Sequence, residues 1–456
     1  MTAQIPSQGS PIPKRTPLQR LLGWGILGQV GYVISQFVIL WALARFTTVE
    51  TIGAFGLASA ITFPVMWFFS LGLRTNQATD VKNEFPFADF LWLRAITCML
   101  ALLVIGLIII FALQSGLSSQ ILIWFALAKA VELLCDLCYG VFQKNDKMIW
   151  VARSQLLRGG ISAAVFVLVL ALGVSAPFAF LTQVIVWSAV AFLVDLPAAR
   201  RLAKASNDTE AAALKSIFTL AKNSFPLGVS GGLSAVQGNM PRYIITSFFG
   251  LAALGQFAVV AYIMQAMTLV ANAVSASIVA RMARLLAMGQ KKNFFRVLRK
   301  LVVILTVIGC AGVGVSLWIG DPLIVFVFGQ DYANLGDLLA VLVGAAALRS
   351  IMIFFQSGLQ AARAFNTLMT IRIGFLGIMA IACLLAATWG GMLTIGLAMG
   401  ATYVLQACVL LMLLLRLPFD PDPEFVTQAS AEASSPKGVS QNLNSSAPTA
   451  RVAVPT

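Results

Sequence analysis

The chain has 456 residues, 59% of them hydrophobic and only 11% charged, with a mean hydropathy of +0.90. Soluble chains carry about 25% charged residues, so the composition excludes a soluble globular protein and makes lipid the solvent for most of the surface. The formal net charge of +14 falls in short clusters between apolar runs, a pattern of topology signals and contacts to anionic lipid rather than of nucleic-acid binding.

Residues 1–20 are polar and Pro-rich, and lack the apolar core and small-residue cleavage site of a signal peptide. They read as a cytoplasmic tail, and the first span as an uncleaved insertion signal. Apolar runs then predict crossings at 21–45, 52–73, 91–114, 119–142, 155–173, 178–198, 223–248, 253–281, 301–319, 336–358, 370–388 and 392–415. Each covers a hydrocarbon core of about 30 Å at about 1.5 Å per residue. The predicted organisation is a six-helix N-lobe over 21–200, a cytoplasmic linker over 201–217, a six-helix C-lobe over 218–416, and a disordered cytoplasmic tail over 417–456, rich in Ser, Ala, Pro, Asn and Gln.

Charge placement agrees with this count. Alternate loops carry Lys14, Arg15 and Arg20; Arg74 and Lys82; Lys144, Lys147 and Arg153; and Arg200, Arg201, Lys204 and Lys215. The same side holds Arg281, Arg284, Lys291, Lys292, Arg296, Arg299 and Lys300, then Arg363 and Arg416. The intervening loops hold essentially no Lys or Arg, and the longest of them, 320–335, carries Asp321 and Asp331 instead. The positive-inside rule makes the basic side cytoplasmic, with both termini on it.

Chemistry is narrowed by what is missing. There is no His, which removes His-based acid–base catalysis, nucleophile activation and metal ligation. The six Cys lie in apolar runs, and Cys135-x-x-Cys138 has no second pair beside it, so both read as small packing residues rather than zinc or redox ligands. No external loop is long enough to fold into a catalytic domain, so an enzyme is not expected.

Two segments echo one another at an offset of 202 residues. RFTTVETIGAFGLASAI (45–61) and SFFGLAALGQFAVVAYI (247–263) each leave one span, cross a short turn and enter the next through a Gly-x-Phe step. YGVFQ (139–143) and QSGLQ (356–360) close the fourth span of each half. The fold class is therefore an all-α polytopic membrane protein, about twelve helices in two parallel six-helix copies, with a site expected between the halves.

Ionisable groups at membrane depth are costly unless paired or wetted, which makes them the functional candidates. The predicted fourth span carries Lys129, Glu132 and Asp136 on one face. Lys129 can pair with Glu132, which leaves one carboxylate in need of a cation or a proton. Arg242 follows an expected kink at Pro241, Arg349 lies near the repeat equivalent of Lys129, and Arg45 ends the first span. Arg45, Lys129, Arg242 and Arg349 are the candidate substrate-binding set, since the guanidinium fork suits phosphate oxygens. Static interhelical pairing, or for Arg45 snorkelling to the outer interface, is the alternative. Glu132 and Asp136 are the candidates for ion coupling or gating by a proton or sodium ion. Arg94, Arg153, Arg158, Arg281 and Arg372 read mostly as anchors at helix ends. Gln143 and Gln360 are candidate sugar contacts or end caps.

VETIGAFGLASAI, GLRTNQATD, KAVELLCDLCYGVFQKNDKM, NMPRYIITSFFGLAALGQFAVVAYI and AVLVGAAALRSIMIFFQSGLQA together resemble the polysaccharide flippases of the multidrug/oligosaccharidyl-lipid/polysaccharide exporter superfamily, over about residues 20–416. The resemblance implies two pseudo-symmetric lobes around a central cavity in a bacterial inner membrane. It also implies a polyprenyl-pyrophosphate-linked oligosaccharide as cargo, and leaves open whether the protein works alone or beside a polysaccharide polymerase and chain-length regulator. The two extra C-terminal spans of peptidoglycan-precursor flippases have no counterpart here. The competing reading is a cation-coupled drug or metabolite antiporter of the same superfamily, which requires a more acidic interior.

Overall fold

The computed structural model describes residues 18–80, 84–113, 116–205, 213–362 and 364–417. Lys14, Arg15, Lys82, Arg363 and the tail beyond Leu417 lie outside the described residues. The described residues form helices joined by short turns: α1 (Leu18–Phe46), α2 (Val49–Ser70), the short α3 (Leu73–Thr79), α4 (Phe87–Ala112), α5 (Leu117–Lys144), α6 (Met148–Ala171) and α7 (Ala176–Val190). A π-turn (Ala191–Asp195) carries α7 into α8 (Leu196–Ala205). The second half is α9 (Leu214–Ala287), α10 (Lys291–Phe328), α11 (Gly336–Ala361), α12 (Phe365–Trp389) and α13 (Met392–Leu415).

α9 is two crossings. Its dihedrals stay helical through Pro226 and Pro241 and break at Gly250, where φ is +80°, a conformation glycine adopts without Cβ strain. The chain therefore reverses at Gly250, with a first arm over 214–249 and a second over 251–287. Ten segments are long and apolar enough to cross a membrane by length and composition. α5, at 28 residues, and the second arm of α9 are of crossing length too. The protein is thus a multi-pass membrane protein with ten to twelve crossings among the described residues, and the helices up to Ala205 and those from Leu214 are called the N-lobe and the C-lobe.

Several boundaries differ from expectation, among them the starts of α4, α6 and α9. α10 runs well past the predicted 301–319 at both ends. The predicted loop 320–335 is largely helix, with a 3-10 turn at Gln330–Tyr332. There the Asp321 carboxylate accepts the Gly336 amide at 2.7 Å and fixes the start of α11.

The lobes meet mainly along α2 and α9. At the end opposite the basic loops, a Cβ on Gly53 would lie 1.9 Å from the Leu251 carbonyl oxygen, and one on Gly255 would lie 2.1 Å from that of Val49. The two Gly-x-Phe steps of the repeat thus interlock backbone to backbone. At mid-depth Tyr243 donates to the Ala60 carbonyl. At the basic end Gly228 abuts the Phe68 carbonyl, and Asn76 on α3 donates to Ser224 at 2.7 Å. α1 behaves differently. Its basic-end half packs on α6 of its own lobe, with Gly28 against Ala152 and Gln155. Its far half meets the other lobe, where Tyr262 donates to the Val33 carbonyl at 3.3 Å and Phe37 touches Tyr262 and Phe328.

Candidate functional site

The predicted site residues fall in four places. Arg349, half-buried on α11, lines a cavity of about 260 Å³ inside the C-lobe. Both arms of α9, with α11, α12 and α13, supply the walls, and Gln360 is among the lining residues. Arg349 lies 5.9 Å from the Tyr403 ring centroid. Gly238 leaves room for its guanidinium, since a Cβ there would approach Nη2 to 3.2 Å.

Four amides share these walls, Gln237, Asn272, Gln356 and Gln360, together with Ser234, Thr268 and Ser275. A second base, Arg372 of α12, is held by the Ser230 hydroxyl and carbonyl. Gln237 donates to Gln406 at 3.0 Å, which fixes the amide from behind. None of the described lining residues is acidic. A second cavity of about 400 Å³ opens beside α3 and includes Asp80 and Glu84. The Asp80 carboxylate is occupied there by the backbone amides of Glu84 and Phe85, at 3.0 and 3.3 Å.

Arg242 lies at the lobe interface rather than in the C-lobe cavity. It is 6% exposed and donates to Ser59 of α2 at 2.9 Å and to Asn239 at 3.2 Å. Arg45 is exposed at the end of α1, beside Gly329. Gln143 is exposed at the end of α5.

Lys129, Glu132 and Asp136 are in the N-lobe. Lys129 bonds Glu132 at 2.7 Å and Tyr32 at 3.3 Å, and sits about equally close to the rings of Phe63, Phe125 and Trp187. The other Glu132 oxygen accepts from Arg158 at 2.9 Å. Asp136 pairs with Arg74 of α3 at 3.0 Å. The cation that the sequence left owing is therefore supplied twice, by Arg158 and by Arg74. The structure brings Lys129 and Glu132 together, sets Arg349 apart in the other lobe, and does not gather the four bases into one described cavity.

Arg94, Arg158 and Arg372 are not helix-end anchors. Arg94 and Arg158 are each 1% exposed, and Arg372 reaches the cavity. Sequence reading also passed over Tyr32, Trp187 and Asp195, whose burial depends on packing between helices. Cys135 and Cys138 are both fully buried in the N-lobe core, as packing residues would be.

No family model matches the chain. A curated relative, the capsular polysaccharide biosynthesis protein CapF of Staphylococcus aureus, is 28% identical over 314 residues, covering 68% of this chain and 77% of the relative. The lipid II flippase MurJ in an inward closed conformation superposes with a TM-score of 0.65 at 14% identity, covering 90% of this chain and 91% of that one. The fold is that of the MATE and MurJ transporters. An inward-facing MATE-family multidrug transporter of the MOP superfamily gives 0.63 at 11% identity over 90% of this chain and 100% of its own. An outward-facing one gives 0.53 at 12% identity, over 92% and 100%.

Arg242 is the described side chain that ties the two halves of this fold at mid-depth through a charged donor. Arg242→Ala removes its bond to Ser59, and hydrogen bonds to charged groups are worth about 1.5–3 kcal/mol. The expected result is a lower thermal midpoint for the purified protein in nanodiscs, with Arg242→Lys falling between the two. An unchanged midpoint would show that the interface does not rely on it.

Proposed function

We propose that the protein flips a polyprenyl-pyrophosphate-linked oligosaccharide from the cytoplasmic to the outer leaflet of a bacterial inner membrane by alternating access. The observation that carries this reading is the lining of the C-lobe cavity: two arginines, four amides and several hydroxyls, with no carboxylate among the described residues. Guanidinium forks match phosphate oxygens in pairs, and amides and hydroxyls both donate to and accept from sugar hydroxyls. The likeness to a capsular polysaccharide biosynthesis protein and to a lipid flippase supports the same cargo class. A drug antiporter taking organic cations is disfavoured by the same lining. A polymerase and a chain-length regulator would take the flipped unit onward.

The test is complementation of a strain that lacks the gene. Arg349→Ala and Arg372→Ala are each expected to lower surface polysaccharide by roughly 10-fold or more, the loss of one charge-assisted contact of about 1.5–3 kcal/mol, while membrane abundance holds. Arg349→Lys should recover only part, because it keeps the charge but not the fork. Equal loss of polysaccharide and of protein would reduce both arginines to structural roles.

A further inference from the structure

The N-lobe holds a buried carboxylate that the proposed cargo path does not use. Asp195 ends the π-turn between α7 and α8 and is 1% exposed. π-turns inside helices concentrate at functional positions, since they turn a side chain out of the regular ladder. Asp195 accepts from Ser154 of α6 at 2.6 Å, and Ser154 is paired with the Tyr139 hydroxyl of α5 at 2.8 Å.

Its neighbours can be taken helix by helix. α5 presents Glu132, Cys135, Cys138 and Tyr139, and the Cys135 thiol faces the carboxylate. α6 presents Arg158. α8 carries Arg200, Arg201 and Lys204, all three exposed, and α7 carries no ionisable group. Among the described residues no ion pair engages Asp195. Glu132 has two cations and Asp136 has one, so Asp195, like the buried Asp89 at the start of α4 that Ser216 and the Ala213 amide hold, is a carboxylate of this lobe whose charge no ion pair among the described residues offsets. An uncompensated buried charge costs several kcal/mol, whereas a protonated carboxyl can remain beside Ser154 without that cost.

Arg158 connects this group to the rest. One edge of its guanidinium bonds Glu132, while Nε and Nη1 have no partner, and its plane lies 4.6 Å from the Trp187 ring centroid. We propose that Asp195 is a proton-binding site whose charge state decides whether Arg158 is held by Glu132 alone or shared with Asp195. Protonated, Asp195 stays with Ser154 and leaves Arg158 to Glu132. On losing its proton to water, it draws the free edge of Arg158 and shifts α6 and α7 against α5. The proton site stands without the cargo assignment, and only its use in driving export rests on that reading.

The test needs no substrate. Infrared difference spectra of the full chain in nanodiscs, between acidic and alkaline pH, are expected to show the carbonyl stretch of a protonated acid, absent in Asp195→Asn and retained at a shifted frequency in Asp195→Glu. Asn keeps an acceptor for Ser154, so that variant has the means to fold. Trp187 emission should change over the same pH range in the wild type but not in Asp195→Asn, with Trp187→Phe identifying the signal. A protonated-acid band that Asp195→Asn leaves intact, or no such band at any pH, would overturn the proton site. The band without the Trp187 response would overturn the role of Arg158. Neither measurement depends on what is exported, so failure of the flippase reading is seen separately at Arg349 and Arg372.

Discussion

Glu132→Gln is expected to cost about 3–5 kcal/mol of stability, the range for removing one partner of a buried ion pair, and so to be among the most damaging single changes in the N-lobe. The side chain keeps its shape, but Lys129 and Arg158 lose their shared anion, and the two bases are 8% and 1% exposed. Aromatic rings on Lys129 and Arg158 offset part of this, at about 0.5–2 kcal/mol per contact. Thermal unfolding of the purified protein in nanodiscs checks the effect. Adding Lys129→Met to Glu132→Gln should restore part of the loss, because one stranded charge remains instead of two. Residues in one network are coupled rather than additive. If the double variant lost the sum of the two single losses, Glu132 would not be the common anion.

This triad shows where the sequence was informative and where it was not. The spacing of three between Lys129 and Glu132 placed them on one helical face, and the pair is there at 2.7 Å. Arg158 was hidden by a boundary error with a physical cause. Arginines and serines near the start of α6 lower local hydropathy, so the span was read from 155, whereas the helix begins at Met148. A residue read as a helix-end anchor is therefore well inside the lobe. Arg94 was displaced in the same way, since α4 starts at Phe87 rather than 91. Long basic side chains bury their stems readily, and no sequence window reports which helix then covers the head.

The C-lobe cavity was only half legible. Arg349 was a candidate because a charge inside an apolar run is conspicuous. Gln237, Gln356 and Arg372 join it from the first arm of α9, from α11 and from α12. Their proximity is a product of helix packing, which carries no fixed sequence interval. The apolar crossings and the meeting of the two Gly-x-Phe steps were legible for the opposite reason, as hydropathy and the Gly-x-Phe step are local signals.

The Gly-x-Phe echo leads to the other large effect. Gly53→Ala or Gly255→Ala puts a methyl group 1.9 or 2.1 Å from a backbone carbonyl oxygen of the opposite lobe. Real Cβ contacts do not approach so closely, and a backbone oxygen in a packed helix cannot rotate away as a side-chain tip would. The lobes must separate at this end, and overpacking of this kind costs about 1–3 kcal/mol or more. The state with this end closed should therefore lose population roughly 10- to 100-fold, at about 1.4 kcal/mol per tenfold. Leu254, fully buried behind the seam and packed near Gly56, reports the change. In a Leu254→Cys background, either alanine should raise labelling by a membrane-impermeant thiol reagent at least 10-fold and reduce surface polysaccharide. Because both glycines belong to one interface, Gly53→Ala with Gly255→Ala should add little to either alone. Labelling that stays slow in both single variants would mean that the seam yields without opening, and that closure at this end is set by other contacts.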